Sequence, residues 1–292
     1  MAAMSRPRLP IAVLLALPAL IAACAERPSE RGLTALQAEL RGEGKLRTDT
    51  APQDAPFGPA ALVQNFQRIA LNHQADTLKP GSAGNSSPNP VSRWQGPLRY
   101  TLAGGAVTAA DRAETKALMD RIAGLTGLDI AEGARDQANF LILIVAETDR
   151  ERVLESLEAT MPQRARIYRF WLQNPSTICV ANNLVSGPDG VYLAAATVVI
   201  GDEVKGVLRR ACLHEEIVQS LGLANDDDAV RPSIFNDDGE FALLTRHDEW
   251  LLRILYDPRL APGMDAEAAM PVVRQIVAGL DLTAAPADTR TD

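Results

Sequence analysis

Aromatic residues make up only 4% of this 292-residue chain, which also holds just three histidines and three cysteines. Each shortage excludes something. So few rings give no platform for stacking nucleic-acid bases. The charge balance, 29 basic against 37 acidic side chains and a net −8, leaves no basic surface for phosphate backbones, so no nucleic-acid partner is expected. The histidines, His73, His214 and His247, are too far apart to form the H-E-x-x-H helix of zinc proteases. A P-loop, a dinucleotide fingerprint, a nucleophile elbow and an internal repeat are all missing. What is present is 47% hydrophobic residues, enough for one large core or two modest ones.

The N-terminus carries Arg6 and Arg8, then an uncharged apolar run that ends at Cys24. The run is shorter than the roughly 20 residues a bilayer-spanning helix needs, and the pattern is that of a secretory signal over residues 1–23. An uncleaved anchor is the alternative. Residues Ile21 to Cys24, "IAAC", resemble the lipobox of bacterial lipoproteins. That resemblance implies cleavage before Cys24, lipidation of its thiol and attachment to the cell envelope by the lipid. With Ala25 next, it further implies the outer membrane, facing the periplasm. In such an oxidising compartment Cys179 and Cys212 are candidates for a disulfide, two buried free thiols being the alternative.

Residues 24–56 are polar and without a sustained period, which predicts a flexible tether carrying at most a short helix. Residues 57–280 predict a single α/β (α+β) domain, and residues 281–292 a disordered tail. Within the domain, the run "NFLILIVAE" predicts a buried strand. Strands "STICVANNL" and "GVYLAAATVVIG" predict a hairpin through "VSGPDG". Thr108 with Asp111, and Thr245 with Asp248, have the spacing of helix-starting capping boxes. Pro162 predicts the end of the helix "TDRERVLESLEATM".

The stretch "ACLHEEIVQSLGLANDDD", residues 211–228, predicts a helix running to about Leu221. At 100° per residue, Glu215 and Gln219 lie on its apolar stripe with Leu208 and Val218; Glu216 lies at the margin, Arg209 and Ser220 opposite. A carboxylate on a core-facing stripe needs a partner, whether a structural cation, backbone N–H groups, a metal or a substrate. His214 points about 100° away and is expected to cap or to face the surface.

Anchored on Gly222, the same residues spell Glu215-Glu216-x-x-Gln219-x-x-Gly222-x-x-Asn225, the metzincin spacing with every zinc-binding histidine replaced. Downstream, "PSIF" resembles the Met-turn, with Phe235 in the methionine's place, and "LLTRHDEWLLRILYDP" resembles the closing helix. The wider pattern (Asn65, Phe66, Trp94, Cys179, Cys212, the 215–228 motif and "LYDPRLAPGM") resembles the bacterial proteins of domain of unknown function 2927. Together these imply a zincin-like (metzincin-like) mixed sheet with an active-site-type helix. By position, Glu215, Gln219 and Asn225 take the metal-ligand places and Glu216 that of the general base. One carboxylate and two amides suit Ca, Mn or Mg better than Zn. The expectation is a non-proteolytic protein that binds an envelope protein or peptide, or serves structurally. The alternative is a metal-dependent peptidase or hydrolase.

Overall fold

The structure, a computed structural model, describes residues 27–73, 87–186, 192–236 and 238–289. The signal segment, Cys24 and the tip of the expected hairpin lie outside the described residues. Ahead of the main sheet come helices α1 (Glu30–Gly42) and α2 (Pro59–Ala70) and a small antiparallel ribbon of β1 (Asn72–His73) and β2 (Ser87–Pro88).

The sheet is mixed. Its strands are β3 (Arg93–Trp94), β4 (Leu98–Ala103), β5 (Ile130–Glu132), β6 (Phe140–Val145), β7 (Cys179–Ser186) and β8 (Tyr192–Gly201). They are ordered β5-β4-β6-β8, all parallel. The short β3 runs parallel to the start of β8, and β7 pairs antiparallel with β8. Every residue of β6 is buried, because helices cover both faces and an uninterrupted apolar run fits such a strand.

Crossover helices follow from the parallel pairing. Helix α3 (Ala109–Thr126) links β4 to β5. It opens with the expected Thr108–Asp111 capping box and ends on Gly127 in the left-handed conformation. Helices α4 (Arg150–Thr160) and α5 (Pro162–Gln173) link β6 to β7. Pro162 does end α4, but it also starts α5: at the first helical position its missing N–H costs nothing and its fixed φ favours the turn. Leu157, Tyr168 and Trp171 of this pair pack on Leu143, Val145 and Val199 of one sheet face. The other face carries the larger core. There α2, α3, α6 (Gly206–Gln219), α7 (Arg246–Leu255) and α8 (Ala266–Ala278) meet Phe140, Ile142, Val198 and Ile200.

Two stretches differ from expectation. The supposed tether is folded onto the domain from residue 27 onward. Leu33 and Leu46 are buried, and Arg47 forms a parallel bridge with Phe241, donating its amide to Glu240 O (2.8 Å) and accepting from Ala242 N (2.8 Å). Its guanidinium binds Asp49, Asp54 and Glu240. One of its charges, Arg47, thus pairs both within the segment and with Glu240 almost two hundred residues away. The supposed tail is also ordered to residue 289: Thr289 bonds Gly124 O through its amide (2.7 Å) and hydroxyl (2.8 Å). A Cβ on Gly124 would come within 2.7 Å of Asp288 Oδ2, so a bare helix position lets the tail close in.

Candidate functional site

Helix α6 leaves β8 through a four-residue turn and is pinned along its length. At its start, Gln37 Oε1 of α1 accepts from Leu208 N (3.2 Å). Arg209 is buried, and its charge is met by Asp111 (3.0 Å) and by the carbonyls of Val204 and Asp202. Midway, Cys212 forms the expected disulfide with Cys179 of β7. At its end, the Trp94 indole donates to Ser220 O (2.8 Å) and the Tyr256 hydroxyl to Leu221 O (2.9 Å), satisfying carbonyls that a helix leaves open. Burial pushes the Tyr256 phenol up, which keeps it a donor. Gly222 follows at φ +113°, where a Cβ would stand 2.1 Å from Ser92 O. Only glycine fits this crossing.

The faces of α6 follow the helical-wheel expectation only in part: Leu208 and Val218 are buried, but the polar positions are not placed as expected. Glu216 is 7% exposed, while Ala211, Glu215 and Gln219 are only half-buried and form the helix's least covered stripe. Arg209 and Ser220, expected on the outer half, are buried as well. The wheel misleads because α6 has no fully solvated side: the β7–β8 pair covers one flank, and α3 and the 243–244 segment cover another. Burial pushes the Glu216 carboxyl well above the usual carboxylate range. The charges of Glu215 and Asp226 push the same way, and the Ala181 backbone N–H opposes them.

Beyond Gly222 the chain folds into a knitted loop. Asn225 is buried and donates its side-chain amide to Arg68 O (2.9 Å), and its backbone N–H reaches Ile69 O (3.2 Å). Gln219 donates to both carboxylate oxygens of Asp226, at 2.8 and 3.1 Å. Asp227 N bonds Phe235 O (2.9 Å), and Asn236 donates to the carbonyls of Asp228 and Val230. Phe235 is fully buried at the turn that closes this loop. That turn is held by Asp248, which accepts from Ser233 Oγ (2.5 Å) and Ile234 N (3.1 Å) while completing the Thr245 capping box of α7.

Neither described histidine side chain joins Glu215 and Gln219. His214 is buried; its Nδ1 accepts from Leu244 N (3.0 Å), so Nε2 carries the hydrogen facing Glu114 (2.8 Å). That bond, with help from Arg210, holds the Glu114 carboxyl down at about 2. His247 is buried too and accepts from Asn65 Nδ2 at Nε2 (3.0 Å). Both are structural, and His214 is not the surface or capping residue expected of it.

The four motif residues thus gather at the C-terminal end of α6 and the loop that follows it. Gln219 turns its amide nitrogen to Asp226, and Asn225 turns its own to the end of α2. No group of three His, Cys, Asp or Glu side chains arranged to hold a metal occurs among the described residues. Sequence reading missed Glu114 as a site neighbour and the specific Gln219–Asp226 pair. The second had a local signal, an amide and a carboxylate flanking a helix-ending glycine; the first, 100 residues from His214, had none.

Compared with known proteins, residues 59–275 match the model of a family described as protein of unknown function, DUF2927. No curated protein and no solved structure matches the chain.

Proposed function

The chain belongs to the DUF2927 family, and we propose that it is a lipid-anchored protein of the bacterial envelope whose metzincin-like domain binds a protein or peptide partner without proteolysis. The reading of the fold rests on a mixed sheet whose last strand leads into the motif helix, followed by the Phe235 turn and the closing helix α7. The anchoring rests on the N-terminal signal pattern and Cys24. Outer-membrane placement, facing the periplasm, rests on Ala25. Among the described residues no helix is long and apolar enough to cross a membrane.

One observation carries the non-proteolytic reading: two side chains at the ligand places, Gln219 and Asn225, are bonded through their amide nitrogens to protein groups. Gln219 closes on Asp226, and Asn225 closes on the end of α2. Glu216, at the place of the general base, is buried where burial favours its neutral form. Metal-assisted hydrolysis needs an open coordination position and a base able to take a proton from the bound water.

Metal titration of protein lacking residues 1–24 tests this. Little uptake is expected with millimolar Zn²⁺, Mn²⁺ or Ca²⁺. Stoichiometric metal that disappears in Glu215→Ala would overturn the reading in favour of a hydrolase.

A further inference from the structure

The mount of the domain on its anchor is short and specific. Arg27, three positions after Cys24, is the first described residue, and it is already locked to the fold. Its guanidinium lies over the Trp171 ring, 3.8 Å from the centroid. It donates to the carbonyls of Trp171 and Thr177 and stands 3.8 Å from Glu203 Oε1. Arg150 crosses the same ring, 4.9 Å from its centroid, and pairs with Glu203 at 2.6 Å. Ser29 then caps α1 by accepting from Gly32 N (3.1 Å). Leu33 is buried, and Gln37 holds the first turn of α6. From residue 27 onward nothing in this segment is left as slack.

From this we infer that the exposed start of α1, beside the Arg27 clamp, is a membrane-seating surface, held directly against lipid headgroups. The inference rests on the lipid-anchor reading above. If the acyl chains are on Cys24, two residues separate it from the Arg27 clamp, and the three steps between them reach at most about 11 Å even when fully extended. A domain tied that closely at one point cannot swing freely over the membrane. The occupant of this face is therefore the bilayer to which Cys24 is attached. Helix α6 begins at the seated end, and its fourteen residues span about 21 Å. The Gly222–Asn236 loop stands at the far end, where Asp228, Ala229 and Arg231 are exposed toward the aqueous side.

The full-length lipidated protein in phospholipid vesicles containing headgroup spin-labelled lipid tests this. A fluorophore is placed at Thr34→Cys, on the exposed side of α1, or at Asp228→Cys, on the exposed far loop. Strong quenching at position 34, several-fold above that at 228, is expected. Inserting a flexible Gly/Ser spacer of about 20 residues between Glu26 and Arg27 should bring the two signals together while leaving the circular dichroism and melting curve close to those of the parent. Weak and equal quenching at both positions, with lipidated Cys24 confirmed by mass spectrometry, would overturn the seating. So would position-34 quenching that the spacer leaves unchanged. Mass spectrometry showing Cys24 unmodified would instead sink the anchor reading beneath it.

Discussion

Gln219, on the last turn of α6, gives its side-chain amide to both oxygens of Asp226, seven residues further on and past the bend at Gly222. The pair fastens the helix end to the loop behind it. Replacing Asp226 by Asn removes the charge-assisted bonds, which are part-exposed, and should cost about 1 kcal/mol. Urea melts would measure it. A chelator should leave the parent's melting temperature unchanged; a drop on adding EDTA would show that a bound metal contributes to the fold.

Gly222→Ala should be among the most damaging single changes. At φ +113° a side chain is strained, and its Cβ would stand 2.1 Å from Ser92 O, a backbone atom that cannot move without β3. A loss of about 3 kcal/mol or more is expected. An alanine variant that melts within a degree of the parent would show that the crossing is looser than described.

Glu216 offers a chemical contrast. Because burial favours its neutral form, Glu216→Gln keeps shape and charge and should hold or raise stability at neutral pH. Glu216→Ala leaves a cavity and should cost about 2 kcal/mol. Equal losses for both variants, measured by denaturant titration, would mean that the carboxylate itself is needed.

The Glu114–His214–Arg210 group predicts an acid dependence. Glu114 is held at about 2 in the fold against its ordinary value of 4.5, so its contribution is present above 4.5 and lost as pH falls toward 2. Glu114→Gln should therefore be less stable than the parent at pH 7, with the gap closing between pH 4.5 and 2. Melting curves across that range check it; a gap that widens on acidification would reverse the sign.

The Cys179–Cys212 bond closes a separation of 33 residues, for which loop entropy gives about 3–4 kcal/mol. Double replacement by Ser should lower stability by that order. It should also increase hydrogen exchange in β7 more than in β6, because β7 pairs only with β8 among the described strands. Uniform exchange across both strands would argue that the bond stabilises without locating β7.

How much of this was legible in the sequence divides by distance along the chain. The capping boxes at Thr108 and Thr245 depend on a spacing of three and were readable, as were the buried run of β6 and the bend at Gly222. The burial of α6 was not. Its environment is set by Asp111 and Glu114, 98 and 100 residues from their partners on the helix, and a wheel drawn on one helix cannot see a second layer. The 27–56 segment was misread for the same reason. Its polarity is real, but Arg47 spends it on Glu240, 193 residues away. Polar composition predicts a solvated chain only when its charges have no distant partner.

That same segment has a mechanical consequence. Leu46 and Arg47 are laced to Gly239, Glu240 and Ala242, and Arg246 N reaches back to Thr50 O (2.7 Å). A pull on the N-terminus would first strain the Arg27 contacts, then α1, then this lacing, and only after that the turn at Phe235. Tension applied at the N-terminus would be dissipated in the strap before it could distort the far loop. A chain begun at residue 59, where the family match starts, would lose that shock absorber and bare the surface beneath it.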